Sequence, residues 1–263
     1  MLLLSACFSS LGLALDPATH DRLIEGARRG EVLPALERFE AALSAQPAPS
    51  NRLLHDTIVL NVWAERHARA LELAQRLRGS PPAYVSAALA LALRRTGQYD
   101  RAIALYRELL RATPTDQGLR AELLHALVDA GRTDEAGQEV DQHVPHLSRQ
   151  RQASRQQALL IAAARVREAQ NRPSESLSLL LDADAIESSD ETRRRISLAL
   201  TRLSAPSLAL AYSRSVTRSA VPTDERERLE QNETARRIAH GEVQLTLELG
   251  LARFERTADA LSK

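Results

Sequence analysis

The chain has 263 residues, a formal net charge of +1 and a composition that is 44% hydrophobic and 26% charged. The balanced charge excludes a bulk electrostatic attraction to nucleic acid or to an anionic membrane. A single cysteine, Cys7, excludes an internal disulfide. Only 3% of the residues are aromatic, and the apolar content is mainly Ala and Leu, which favours helices over strands.

The first residues, Met1 to Leu15, are apolar and uncharged, as in the hydrophobic region of a secretory signal. Residues 1–14 are therefore predicted to be a signal peptide, with cleavage after Gly12-Leu13-Ala14, although a basic start is missing. A second interpretation is a lipoprotein signal, because Leu4-Ser5-Ala6-Cys7 matches a bacterial lipobox with Cys7 as the lipidated residue. A frayed first helix is the third. The first two interpretations place the protein beyond the inner membrane of a bacterium.

The stretch from Arg94 to Pro114 has the pattern of a helix end, a tight turn and a second helix. Gly97 suits a left-handed turn, Ala102 allows two helices to approach closely, Tyr106 lies one turn later on the same face, and Pro114 ends the helix. Glycine, alanine, aromatic residue and proline at these offsets are typical of the second half of a tetratricopeptide repeat.

The same offsets recur along the chain around six small residues, here called the anchors. Their spacings are 35, 32, 34, 40 and 33 residues, close to the period of 34 expected for such repeats, and they are Ala35, Ala70, Ala102, Ala136, Ser176 and Ala209. Five residues before each anchor stands a turn residue, which is glycine in three cases and Glu65, Asn171 or Ser204 in the others. The first three anchors have a proline twelve residues later.

We therefore predict an all-α protein, an α-solenoid of tetratricopeptide-like helix-turn-helix repeats that wind into a right-handed superhelix. The repeats are predicted to be well formed over residues 15–144 and degenerate over residues 145–221. Residues 222–263 are predicted to form a capping helical hairpin, with Thr223 as the helix cap.

No catalytic motif is present, so we expect a binding protein and not an enzyme, without a cofactor or a metal. The closest histidine pair, His143 and His146, is separated by Pro145, which argues against a metal site. Such repeats offer a groove lined by the first helix of each pair. The groove candidates are Trp63, Tyr84, Arg94, His125, Asp129, Arg165 and Glu168, with His20, Arg28 and His55 as further positions on the same faces. Trp63 and Tyr84 lead, because aromatic faces stack on sugars, and Asp129 and Glu168 are expected to suit a cationic ligand such as an amino sugar or a basic peptide.

Beyond the generic repeat, the chain resembles the periplasmic helical portion of the poly-β-1,6-N-acetyl-D-glucosamine export porins. Four stretches carry the resemblance: Asp21–Glu31, Asp56–Arg66, Leu203–Leu210 and the C-terminal region ending in Arg253–Leu261. The resemblance implies a periplasmic scaffold that docks a polysaccharide deacetylase and guides the cationic, partly deacetylated polymer to a pore. In that family an outer-membrane β-barrel follows the repeats, so the resemblance implies that Lys263 is not the end of the exporter. No nucleic-acid partner is expected.

Two function hypotheses follow from the sequence. The first is the periplasmic repeat scaffold of an exopolysaccharide exporter at the outer membrane of a Gram-negative bacterium, serving biofilm matrix export. The alternative is a peptide-binding adaptor or assembly lipoprotein that is anchored through Cys7.

Overall fold

The computed structural model describes residues 15–144, 153–205, 208–209 and 211–212. Within these residues the secondary structure consists of eleven α-helices and no strands. The all-α prediction is therefore confirmed. The predicted signal segment, the His143–His146 pair beyond His143 and the predicted C-terminal hairpin lie outside the described residues.

The helices alternate along the chain between a first and a second member of a pair. Their bounds are α1 (Pro17–Arg28), α2 (Val32–Ser44), α3 (Asn51–Trp63), α4 (His67–Ala74), α5 (Ala83–Arg95), α6 (Tyr99–Ala112), α7 (Gln117–Asp129), α8 (Thr133–His143), α9 (Ala153–Ala169), α10 (Pro173–Ile186) and α11 (Asp190–Arg202).

The two members of a pair begin by different means. Four first helices are capped by a side-chain oxygen that accepts a backbone N–H of the first turn, from Asp16, Ser50, Asp116 and Ser189. The second helices α2, α4, α6, α8 and α10 have no side-chain cap. Their start is set by the turn that precedes them.

All six turns within the pairs have the same hydrogen bonds. In the clearest case the N–H of Gln98 donates to the carbonyl of Leu93 at 2.8 Å and the N–H of Gly97 donates to that of Arg94 at 3.1 Å, which is a Schellman motif. The residue five before each anchor has a positive φ, and these residues are Gly30, Glu65, Gly97, Gly131, Asn171 and Ser204. All six anchors are at most 1% exposed. The repeat register predicted from the sequence is therefore confirmed at each anchor, including the three whose turn residue is not glycine.

The chain divides into two compact units between Thr115 and Asp116, which are described separately. Unit 1 contains α1 to α6, and each helix packs on the next from α1 to α6, with a further contact between α3 and α5. Its core includes Leu36, Phe39, Leu54, Ile58 and Leu73, none more than 1% exposed. The predicted domain boundaries at residues 144 and 221 stay predictions.

Unit 2 contains α7 to α11 and the described residues that follow. Within it α9 packs on α7, α8 and α10, and α10 packs on α11. One cluster of its core joins α9, α10 and α11 through residues such as Leu177, Ile196 and Leu200. Ala209 closes this cluster, and its carbonyl accepts a hydrogen bond from Ser197 Oγ at 2.8 Å.

Candidate protein-binding face

In unit 1 the first helices α1, α3 and α5 present one continuous stripe of side chains. Along each helix its residues stand three, four or seven positions apart and therefore share a side. We call this stripe the unit 1 face; it consists of His20, Ile24 and Arg28 of α1, Arg52, Asp56, Val59 and Trp63 of α3, and Tyr84, Leu91 and Arg95 of α5.

A polar chain crosses the unit 1 face near the start of the three helices. His20 Nε2 lies 2.7 Å from Asp56 Oδ2, and Tyr84 Oη donates to Asp56 Oδ1 at 3.5 Å. His20 is buried at 7% exposure, and its ring packs edge-on against Phe39. Asp56 therefore links α1 to α5 through α3 and fixes how the first helices lie side by side.

Tyr84 has a hydroxyl that is held by a hydrogen bond and a ring that is exposed to solvent. Its side chain is 53% exposed, yet its hydroxyl is held at Asp56. Partial burial of the hydroxyl and the negative charge of Asp56, together with the hydrogen bond between them, raise the pKa of Tyr84. The phenol therefore stays a neutral donor, with its ring face available for contact.

The middle of the unit 1 face is apolar. Ile24, Val59 and Leu91 are half-buried and pack against the core of unit 1. Trp63, the last residue of α3, is 45% exposed beside them. Among the described residues the exposed large hydrophobic side chains are Leu33, Trp63 and Tyr84, all in unit 1. Two of these three therefore lie on a single face.

The groove candidates of unit 2 lie on α7 and α9 and are tied to one another. Arg165 Nη2 donates to Asp129 Oδ1 at 2.6 Å, and Arg165 Nη1 lies 3.3 Å from His125 Nδ1. Because a guanidinium can only donate, this contact is a hydrogen bond in the tautomer whose Nδ1 is the acceptor. The structure thus brings His125, Asp129 and Arg165 together as a hydrogen-bonded group.

Glu168 also has partners within unit 2. Its carboxylate accepts from Ser176 Oγ at 3.3 Å and lies 3.5 Å from Arg202 Nη1. The two carboxylates expected to suit a cationic ligand, Asp129 and Glu168, are therefore each engaged by an arginine of the chain itself. A ligand would have to compete with these arginines.

Arg94, the last groove candidate, is buried at 8% exposure. It lies on α5 beside the exposed Arg95, and both arginines act on His67 at the start of α4. Burial is the largest cause that lowers the pKa of His67, followed by the positive charge of Arg95; Glu65 opposes it by less than Arg95, and Arg94 adds a smaller lowering effect.

Asp56 is the residue of the unit 1 face that the sequence reasoning missed. The pattern pointed to His55, its neighbour, because a histidine stands out more readily than one carboxylate among many. The available signal was the spacing, since Asp21 and Asp56 both stand fourteen residues before an anchor. Each of the two pairs with the residue that stands eighteen positions before the next anchor, Asp21 with Arg52 and Asp56 with Tyr84.

Within the described residues no group of three or more His, Cys, Asp or Glu side chains is arranged to hold a metal ion. A search of the same residues for membrane-spanning helices found none of sufficient length and apolarity. What the geometry offers chemically is contact surface, through aromatic rings, aliphatic side chains and paired charges.

Comparison with known proteins agrees with this description. The sequence model of the tetratricopeptide repeat family matches residues 93–154. The poly-beta-1,6-N-acetyl-D-glucosamine export protein of Escherichia coli K12 is 30% identical over 138 residues, which are 51% of this chain and 17% of that protein, and the protein of the O157:H7 strain matches equally. The match therefore spans 17% of the length of these curated relatives.

Solved structures resemble the fold. One chain in the crystal structure of the APC/C hetero-tetramer Cut9-Hcn1 aligns with a TM-score of 0.60 at 14% identity, over 80% of this chain and 42% of that one. A tetratricopeptide repeat protein from Parabacteroides merdae aligns with a TM-score of 0.52 at 14% identity, over 69% of each chain. Repeat geometry, sequence match and structural neighbours agree that the chain carries a helical scaffold of tetratricopeptide repeats.

Proposed function

We propose that the chain is the repeat scaffold of an exopolysaccharide exporter, which binds a polysaccharide deacetylase or its amino-sugar product. Three observations support this. The fold is that of a protein-interaction scaffold, the partial relative in Escherichia coli is named an export protein for poly-β-1,6-N-acetyl-D-glucosamine, and unit 1 carries an open first-helix face.

The observation that carries the proposal is the exposure of Trp63 and Tyr84 on the unit 1 face. Leaving two large rings about half in water forgoes part of the free energy of burying them, on the order of 1 kcal/mol each. The core of unit 1 buries Phe39 and Tyr106 almost completely, at 0% and 1% exposure. The fold can therefore bury aromatic rings, and we attribute the exposure of Trp63 and Tyr84 to contact with a partner.

The same face accounts for recognition of an amino-sugar polymer. The ring of Tyr84 provides a stacking surface for the apolar side of a sugar, and Asp56 beneath it provides a negative charge for an ammonium group. Asp56 is shared with His20, so binding of a cationic sugar would weaken the bond between them. The apolar middle of the face suits a protein partner.

The proposal includes a location in the periplasm, attached to the outer membrane. An anchor on Cys7 belongs to the alternative function, a peptide-binding adaptor or assembly lipoprotein, which the lipobox Leu4–Cys7 favours. Labelling cells with a lipid precursor separates the two. Incorporation that is lost in Cys7→Ser supports the adaptor, and cleavage after Ala14 without labelling supports the exporter scaffold.

The test of the exporter role is a binding measurement with the polysaccharide deacetylase of the same bacterium and with glucosamine oligomers. We expect the unaltered chain to bind, and the double variant Trp63→Ala, Tyr84→Ala to bind the deacetylase about tenfold or more weakly, since hot-spot aromatic residues contribute over 1 kcal/mol each. For the glucosamine oligomer we expect the loss from Tyr84→Ala alone. Leu33→Ala is the matched control, because Leu33 is 56% exposed on α2 and lies off the face. Failure of both ligands to bind the unaltered chain would refute the exporter role.

A further inference from the structure

One edge of unit 1 combines an exposed tryptophan with arginines from neighbouring repeats. Arg28, Trp63 and Arg95 each stand two residues before a turn residue, Gly30, Glu65 and Gly97 respectively. They are the last residues of α1, α3 and α5, and all three are exposed. We call these three residues the basic edge.

Because these three residues occupy equivalent positions in neighbouring repeats, we expect them to lie side by side. Near the start of the helices, α1 is tied to α3 by the bond of His20 to Asp56 and by Arg52 Nη2, which lies 2.8 Å from Asp21 Oδ1. Helices α3 and α5 pack directly on each other. Since the three helices have nearly equal lengths and the same register, their last residues form one row, with Trp63 between the two arginines.

The charges of this row have little internal compensation. Arg28 has only a loose pair, 3.7 Å from Glu25, and both groups are more than half exposed. Such a pair contributes little. Among the described residues no hydrogen bond or ion pair ties down Arg95, whose charge reaches His67. The acidic neighbour Glu65 acts on His67 more weakly than Arg95 does.

At the equivalent positions of unit 2 the pattern is different. Asp129 is bound to Arg165, Ala169 replaces the tryptophan, and Arg202 lies 3.5 Å from Glu168. The combination of an open aromatic ring with open positive charges therefore belongs to unit 1. Exposed charged groups beside an exposed aromatic side chain are typical of surfaces that bind proteins.

We propose that the basic edge, Arg28, Trp63 and Arg95, docks an acidic segment of a partner protein, with an apolar side chain of that segment on Trp63 and its carboxylates on the two arginines. The inference rests on the proposed scaffold function and sharpens it. A partly deacetylated amino-sugar polymer is cationic, and the two arginines repel it. The basic edge therefore takes the protein partner, and the polymer belongs near Asp56 and Tyr84.

The test uses the full chain and three soluble probes: a labelled peptide alternating Glu and Leu, the same peptide with Gln in place of Glu, and a glucosamine oligomer. We expect the Glu peptide to bind more tightly than the Gln peptide, with an affinity that falls as salt is added. Arg95→Glu and Trp63→Ala should each weaken binding of the Glu peptide by about tenfold. Neither should weaken binding of the glucosamine oligomer.

Arg111→Glu is the matched control, because Arg111 is an exposed arginine near the end of α6 and the change in charge is the same. Equal binding of the two peptides, or equal effects of Arg95→Glu and Arg111→Glu, would overturn the proposal. Loss in Trp63→Ala without loss in Arg95→Glu would also overturn it, since the edge would then be only apolar. A deacetylase that still binds while the Glu peptide does not would leave the scaffold function standing and remove this inference alone.

Discussion

The two units use the same backbone plan and present different faces. At the middle of the first helices, eleven residues before each anchor, unit 1 has Ile24, Val59 and Leu91, all half-buried and apolar. Unit 2 has His125, Arg165 and Leu198 at those positions. The apolar residues of unit 1 flank open aromatic rings, whereas in unit 2 Arg165 binds both His125 and Asp129.

The difference shows that the repeat determines the position of a side chain on the helix but not whether that side chain has a partner within the chain. The anchors and the turns are alike in both units, since these positions determine the packing of one helix on the next. The face is free to vary. In unit 2 the charges around Arg165 are paired within the chain, whereas in unit 1 the arginines at the helix ends, Arg28 and Arg95, have little compensation.

The largest expected effect is on the packing that both units share. Replacing Ala102, which is 0% exposed, with Phe should cost unit 1 about 3 kcal/mol, because an overfilled core forces neighbouring helices apart. The measurement is the free energy of unfolding in urea, with hydrogen exchange to assign the loss to α5 and α6. Ala104→Phe is the control, since Ala104 is exposed on the same helix. Equal stability of the two variants would contradict the repeat register.

The second largest effect is expected in unit 2, from the loss of ion pairs that join neighbouring helices. Arg167 of α9 is 6% exposed, pairs with Asp141 of α8 and Glu175 of α10, and donates to Gln170 at 2.8 Å. Arg167→Met should lower the free energy of unfolding by about 2 kcal/mol, less than for a wholly buried pair because both carboxylates stay in contact with water. Arg195→Met, which removes a partly exposed pair with Glu191, should cost under about 1 kcal/mol. A cost for Arg167→Met no larger than for Arg195→Met would contradict the role of this connection.

A smaller effect of opposite sign is expected at the turns. Glu65 holds a φ of 59°, a left-handed conformation that costs a residue with a Cβ atom about 1 kcal/mol. Glu65→Gly should therefore stabilise unit 1 by somewhat under 1 kcal/mol, because glycine also loses more freedom on folding. Gly97→Ala, at a φ of 77°, should destabilise it. Both changes are read from the urea midpoint, and a shift in the same direction for both would contradict the turn assignment.

The smallest effect is a dependence of unit 1 on pH. Since folding lowers the pKa of His67 from 6.5, the unfolded chain takes up a proton first as the pH falls. The contribution of His67 is therefore complete above pH 6.5 and is lost as the pH falls below it. His67→Gln should make the urea midpoint less sensitive to acid across this range, with His55→Gln as the control. An unchanged pH dependence in His67→Gln would contradict the lowered pKa of His67, whose largest cause is burial.

The turns and buried anchors could be predicted from the sequence, whereas the contacts between side chains of different helices could not. The anchor spacing located all six turns, even where Glu65, Asn171 or Ser204 replaces glycine, because burial of the anchor and the Schellman bonds depend on spacing. The pairing of Asp129 with Arg165 crosses from one helix to another through side-chain rotamers, which a spacing does not determine. Asp56 was missed for the same reason, since its place on the unit 1 face depends on its contacts with His20 and Tyr84 on two other helices.

The central claim is that partner binding uses the first-helix face of unit 1 and leaves that of unit 2 unused. Hydrogen exchange of the full chain, with and without the deacetylase, tests it most directly, because protection reports each helix separately. We predict protection of α3 and α5, strongest toward Trp63 and Arg95, with α7 and α9 unchanged. Protection confined to α7 and α9, around His125 and Arg165, would contradict the claim.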